Sequence, residues 1–377
     1  MSGVVIIGSG LGGYSLAREL RRLDPAIAIT VVTADGGEAY SKPMLSAAFA
    51  QGKDVAALAQ KSAGQVEAEL RLRVITRSRV TAIDRAARRL TLDGGEAIAY
   101  SSLVLAIGAD PRAYRVAGSE DVTVHTVNDL DDYAVWRDGL IPGGRVLLIG
   151  AGLIGSEFAN DLTTAGQRVS VVDPAPWPLG RLLPQELGDE LATALGGIGV
   201  SFHLGRSITA LEPGRAVLDN GAVVAFDKAL SAIGLVPRTA LAAAAGLVVD
   251  KGIVVDRWLR TSDPHVFALG DCAQTEAGPL PFVLPLMAEA RALAATLAGN
   301  PTELRLPALP VVVKTPALPV AVCPPAPGAG GTWRVSGEGR DRKALFVGDD
   351  GRMLGFALSG GLTAERQSLA KEMPDLI

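Results

Sequence analysis

Short apolar runs alternate along the chain with glycine-rich turns and with longer segments whose apolar residues recur every three to four positions. Val4-Val5-Ile6-Ile7 has the length and β-branching of a buried strand, and a helical pattern follows from Leu11 to Leu23. Residues 27–33 predict a second strand. Helical stretches lie around 55–70, and short strands follow at 72–75, 79–83, 89–92, 97–100 and 103–107. Such short neighbouring strands suggest an antiparallel meander serving as a crossover. The opening pattern then recurs: a strand at 145–149, a glycine turn, a helical start and a strand at 168–172. A helix at 185–195, a strand at 229–233, strands at 252–255 and 266–269, and a helix at 285–297 stopped by Gly299 and Pro301 complete this part. From about Leu304 prolines thicken, aliphatic strands alternate with glycine turns, and a last helix is expected over 362–371.

Both repeated strands run into the same turn chemistry. Gly8-x-Gly10-x-x-Gly13 and Gly150-x-Gly152-x-x-Gly155 each follow a strand and open a helix, the context a dinucleotide-binding loop requires. The first glycine permits the tight turn, the second lets backbone approach a pyrophosphate, and the third brings helix and strand together. The acid that holds an adenosine ribose belongs at the end of the second strand. In the first unit Thr33 stands there and Asp35 two residues on, so Asp35 or the Thr33 backbone and hydroxyl are candidates. In the second unit Asp173 is in place. Its carboxylate accepts from a ribose 2′-OH and repels a 2′-phosphate, which favours NADH over NADPH, with Arg181 as the nearby residue able to oppose this.

Further residues attach to this frame. Glu157 lies two residues past Gly155, on the helix start facing the expected nicotinamide. Lys42, before Pro43 at a helix start, sits poorly against the helix dipole unless an anion is near. The strand 266–269 empties into Gly270-Asp271, placing one carboxylate at a sheet end where ribityl hydroxyls would lie. Val80 is a candidate for pairing its backbone with an adenine edge, or a plain core valine. Lys314 is a lone cation closing the apolar run Val311-Val312-Val313.

Composition narrows the partners. A length of 377 residues allows two or three domains, and a net charge of −4 argues against a nucleic-acid partner. No apolar run reaches membrane scale; 240–249 reads as a buried helix-to-strand junction. No basic leader precedes the first strand, so a cytoplasmic location is expected. The two cysteines, Cys272 and Cys323, form no dithiol motif, which leaves no disulfide relay; Cys272, next to the Gly270-Asp271 pair, reads as a buried structural thiol, with a single redox-active thiol beside a flavin as the alternative. No metal site is expected.

The double loop, the Ile107-Gly108 turn, the return at Ala232-Ile233-Gly234-x-x-Pro237 and the stretch from Thr261-Ser262 to Gly270-Asp271 resemble the FAD/NAD-linked reductases of the glutathione-reductase structural class. Within it, Tyr40-Ser41-Lys42-Pro43-Met44-Leu45-Ser46 and Lys314-Thr315-Pro316-x-x-Pro319 resemble the rubredoxin reductases, with the flavorubredoxin reductases close behind. The resemblance implies an α/β fold of two Rossmann-like dinucleotide-binding domains plus a small C-terminal α+β domain packed on the first. It divides the chain into an FAD domain (1–109 and 240–303), an NAD(P)H domain (110–239) and a C-terminal interface domain (304–377). FAD contacts are implied at Gly8, Ser9, Gly10, Gly13, Lys42, Val80, Gly108, Asp271, Val283 and Lys314, and NADH contacts at Gly150, Gly152, Gly155, Glu157, Asp173 and Gly234. Related oxygenase-coupled ferredoxin reductases follow the leucine-serine pair with lysine. Here Ala47 stands instead, so the cation paired with Glu157 must come from elsewhere, and Lys314 is the candidate. The implied partner is rubredoxin or a similar small electron-transfer protein, steered by Arg334, Arg340, Arg342 and Lys343 unless these form an ordinary solvated face. An NADH:ferredoxin reductase, an NADH oxidase and a flavin-binding redox sensor are the alternatives.

Overall fold

The computed structural model describes residues 3–377. Strand Val4–Ile7 lies at the centre of a five-stranded parallel sheet, in the order Val266–Ala268, Ser102–Leu105, Val4–Ile7, Ile29–Val32, Arg73–Ile75. A second parallel sheet repeats the plan around Arg145–Ile149, in the order Ser201–Leu204, Arg168–Asp173, Arg145–Ile149, Lys228–Ser231, Val124–His125. Parallel neighbours need long crossovers, and each sheet uses the same pair of devices. A helix follows the central strand, and an antiparallel three-stranded meander precedes the strand that returns beside it. The meanders are Val80–Asp84 with Arg89–Leu92 and Ala97–Ala99, and Ile208–Glu212 with Arg215–Leu218 and Val223–Ala225.

The two units are joined by one short ladder. Ala109–Pro111 leaves the first sheet and pairs antiparallel with Leu235–Pro237, which returns to it. The glycines before these strands, Gly108 and Gly234, both take positive φ, the conformation glycine reaches without steric cost. Strand Val266–Ala268 then joins the first sheet from far along the sequence.

Residues beyond 304 build a five-stranded antiparallel sheet, Val311–Val313, Val320–Cys323, Met353–Ser359, Asp341–Gly348 and Gly331–Glu338. Its packing corrects one expectation. Val313, Val320, Val322, Ala344 and Ala357 share a core with Phe158, Leu162, Leu187 and Leu191 of the second unit, rather than chiefly with the first. The reason is periodicity. Alternate residues of Val320–Cys323 point to opposite faces, so Val320 and Val322 meet the second unit while Ala321 and Cys323 meet Leu369 and Ala370 of helix Arg366–Glu372.

Three local expectations shift. The segment from Lys42 to Ala47 is a 3₁₀ helix, with Pro43 in its first turn. The second strand is shorter than expected, Ile29–Val32, so Thr33 lies just beyond it. The last helix is a 3₁₀ stretch, Gly360–Glu365, followed by Arg366–Glu372. Among the described residues no helix is long and apolar enough to cross a membrane.

Candidate functional site

In each parallel sheet the glycine loop closes on itself. Gly8 and Gly150 have φ of +113° and +106°. A Cβ at Gly13 would lie 1.9 Å from the Gly8 carbonyl oxygen, and one at Gly155 would lie 2.0 Å from that of Gly150. The third glycine of each motif is therefore required by helix–strand contact. A Cβ at Gly10 or Gly152 would meet nothing within 4 Å. Helices Leu11–Leu23 and Leu153–Thr164 also begin without a side-chain cap, so no side chain of the protein satisfies the first N–H groups at the positive end of the helix dipole.

The acid of each unit reaches back to its glycine loop. In the second unit Asp173 accepts the Ala151 N–H at 2.6 Å and the Ala175 N–H at 2.7 Å. In the first unit the acid sits two residues later, and Ser9, which occupies the place of Ala151, bridges the gap. Its hydroxyl donates to Asp35 at 2.9 Å, and Asp35 also accepts from the Thr33 hydroxyl at 2.7 Å and the Gly37 N–H at 2.9 Å. Ser9, Thr33 and Asp35 thus form one cluster, and the two candidates for the first ribose position touch.

Lys42 and Asp271 come together from distant parts of the sequence. The Lys42 ammonium donates to Asn128 Oδ1 at 2.7 Å and lies 4.0 Å from Asp271. A carboxylate of the chain itself, Asp271, therefore lies near Lys42. Burial holds the Lys42 ammonium below its ordinary pKa, with Asp271 opposing the shift. Asn128 is buried and donates to the Ala109 carbonyl at 3.0 Å, at the exit from the first sheet. Behind Asp271, the Gly270 N–H donates to Glu289 at 2.6 Å. The sequence reading missed Glu289. Its spacing from Leu286 and Leu293, three back and four on, places it on the buried face of helix Val283–Leu297.

The densest polar cluster lies on helix Leu153–Thr164. Glu157, fully buried, accepts the Ser46 hydroxyl at 2.5 Å and the Lys314 backbone N–H at 3.0 Å, and it is ion-paired with the Lys314 ammonium. The cation expected in place of Ala47 is thus on Glu157, brought from the C-terminal sheet. Two more buried side chains of the same helix, also missed from sequence, continue the pattern. Asn160 accepts the Ala317 N–H at 3.0 Å, and Asp161 accepts the N–H groups of Phe49 and Ala50 at 2.8 and 3.1 Å. Burial raises the Asp161 carboxyl while those two N–H groups pull it back. One helix therefore fastens the second unit to both the Lys42–Ala47 segment and the C-terminal sheet.

The remaining candidates spread around this centre. Val80 is buried in the first core and its backbone pairs with Leu92. Val283 is exposed at the start of its helix. Both cysteines are buried and free; burial pushes the Cys272 thiol up to about 12, and its Sγ lies 3.3 Å from the Leu105 carbonyl. In the basic cluster near the C-terminus three cations have partners within the chain. Arg340 donates to the Ala317 carbonyl, Lys343 pairs with Glu365, and Arg342 lies 3.9 Å from Glu190. The chain's own acceptors hold three of the four cations.

With this geometry in view, comparison with known proteins is direct. Residues 2–292 match the family described as pyridine nucleotide-disulphide oxidoreductase. The chain belongs to this oxidoreductase family. Residues 303–373 of this oxidoreductase match a rubredoxin binding C-terminal domain. It is 44% identical to a rubredoxin-NAD(+) reductase of Alcanivorax borkumensis, covering 100% of both chains, and 39% identical to one of Acinetobacter baylyi, covering 100% of this chain and 99% of the other. Among solved structures it resembles the putidaredoxin reductase of a covalent complex with putidaredoxin, at 26% identity and a TM-score of 0.89, covering 97% of this chain and 92% of that one. The oxidoreductase uses FAD and NADH, and its residues fit both. Open space at Gly10 and Gly152 over uncapped helix starts suits two pyrophosphates.

Proposed function

We propose that this oxidoreductase passes electrons from NADH through FAD to rubredoxin, or to a similar small iron electron carrier. The observation that carries the reading is the match of residues 303–373 to a rubredoxin-binding domain, in a chain aligned end to end with rubredoxin-NAD(+) reductases. We assign residues 1–109 and 240–303 to FAD, 110–239 to NADH and 304–377 to the acceptor interface. A cytoplasmic location suits a protein that draws on the NADH pool.

Bound FAD supplies the ability to take a hydride and to give electrons up one at a time. The chain supplies position and charge. The loop Gly8–Gly10–Gly13, with the Ser9, Thr33 and Asp35 cluster, anchors the resident cofactor at one end; Lys42, Asp271 and the exposed start of helix Val283–Leu297 serve the other end. The loop Gly150–Gly152–Gly155 receives the exchangeable nucleotide, whose 2′-hydroxyl is held by Asp173. The Glu157–Lys314 pair, supported by Ser46, fixes the second unit against the other two. Orientation of donor and acceptor is the main contribution expected of such a site. Cys272 and Cys323 are buried singly, so they offer no dithiol step between flavin and acceptor.

The test is reduction of cytochrome c by NADH with and without purified rubredoxin. The reading requires the rate to rise with rubredoxin concentration and saturate. A rate independent of rubredoxin would overturn it in favour of a direct oxidase.

A further inference from the structure

Glu289 stands outside the roles described so far, and its surroundings are unusual for a carboxylate. Its side chain is 2% exposed, and its one hydrogen bond is the 2.6 Å contact from the Gly270 N–H. Among the described residues no cation lies within ion-pair distance of it. The turn Gly270–Cys272 that faces it contributes Asp271, an acid, and Cys272, a thiol held neutral by burial. Helix Leu11–Leu23, packed on its other side, has ionisable groups that are engaged elsewhere or point to solvent. Tyr14 donates to Gly37, Arg21 to the carbonyls of residues 24, 25, 70 and 71, Arg22 pairs with Glu19, and Arg18 acts on Glu69. On its own helix Arg291 is exposed. Lys42, which pairs with Asp271 of the same turn, is held by Asn128 and makes no ion pair with Glu289.

We propose that Glu289 is a positioning residue for FAD that works as a neutral acid: it braces the Gly270–Asp271 turn, and its ionisation loosens the cofactor. The inference rests on the assignment of Asp271 to FAD. A cofactor seated over the turn excludes water from it and so makes the ionised carboxyl less favourable still. Protonation and FAD binding are therefore linked, each strengthening the other. Burial, with Asp271 adding to it, already places the Glu289 carboxyl at about 7 in the free chain.

The experiment is FAD affinity of the apoprotein, read by quenching of flavin fluorescence, from pH 5.5 to 8.5 in wild type, Glu289→Gln and Glu289→Ala. Glutamine keeps an acceptor for the Gly270 N–H and cannot ionise. Wild type should weaken by up to about tenfold per pH unit above its transition, Glu289→Gln should stay flat, and Glu289→Ala should be weak throughout. Infrared spectra of the FAD-loaded protein at pH 6.5 should show a protonated carboxyl band that Glu289→Gln lacks. A flat wild-type profile, or the same slope in Glu289→Gln, would overturn the proposal. Failure of wild type to bind FAD at any pH would instead sink the cofactor assignment.

Discussion

Lys314, at the end of strand Val311–Val313, gives both its backbone N–H and its ammonium to one carboxylate, that of Glu157. The two residues come from different units and lie 157 positions apart. Ser46 of a third segment donates to the same carboxylate. Three parts of the chain therefore meet at one buried negative charge.

Replacing Lys314 with methionine leaves that charge to Ser46 and a backbone N–H. Breaking a fully buried pair costs about 3–5 kcal/mol, and because the lysine side chain is partly exposed about 2 kcal/mol is expected here. Hydride transfer should slow by about tenfold through lost positioning. The double variant Lys314→Met/Glu157→Gln should be more stable than the sum of the single changes allows, as a double-mutant cycle of thermal unfolding would report. Additive effects would mean the pair is not coupled.

Asp173 serves two purposes in this account, since it ties the loop through Ala151 and Ala175 and holds a ribose. Asp173→Ala should raise KM for NADH by about tenfold and lower kcat/KM more than kcat, while NADPH improves relative to NADH. Comparing kcat/KM for the two nucleotides checks this. An unchanged ratio would remove Asp173 from nucleotide selection.

Glu289 gives a pH dependence of stability with a definite sign. Its carboxyl is raised from 4.5 to about 7 in the folded chain, so folding binds the proton more tightly. The stabilisation is fully present below pH 4.5 and is lost as pH rises to about 7, a change of about 3 kcal/mol at most. Glu289→Gln should unfold at a temperature nearly independent of pH over that window, apart from other groups. Thermal melts at pH 5, 6 and 7 would show the gap between the two proteins shift steadily in favour of the variant.

Cys272 and Cys323 should be silent. Burial pushes their thiols up to about 12 and about 11, so neither is a thiolate near neutral pH. Iodoacetamide should leave NADH oxidation by the acceptor unaffected, and Cys272→Ala should retain turnover within about twofold, losing only packing. Rapid inactivation by the reagent would place a reactive thiol in the electron path.

The frame was readable because its chemistry is local. A strand, three glycines and a helix start occupy ten consecutive residues; inside those ten Gly13 and Gly155 are required by contact with the Gly8 and Gly150 carbonyls, and Gly8 and Gly150 by the positive φ of the turn. Asp173 is likewise the last residue of its own strand. Glu157 and Lys314 were singled out separately, as a helix-start acid and a stranded cation, and the absent lysine at Ala47 suggested joining them. What escaped were polar residues whose purpose is to grip backbone in another unit. Asn160 and Asp161 look like the solvated side of a helix until the Phe49 and Ala317 segments arrive against them. Glu289 sits among alanines as a surface residue would, and only its spacing from Leu286 and Leu293 betrays a buried face. The ties of the basic cluster near the C-terminus were hidden for the converse reason: Glu190, Glu365 and the Ala317 carbonyl, remote in sequence, lie against three of its four cations.

The most direct test of electron flow is a sequential anaerobic mixing experiment. The FAD-loaded protein is first bleached with one equivalent of NADH and then mixed with oxidised rubredoxin while flavin absorbance is followed. The account predicts rapid bleaching, then recovery at a rate that rises with rubredoxin concentration. Bleached flavin that ignores rubredoxin and recovers only when air is admitted would contradict it.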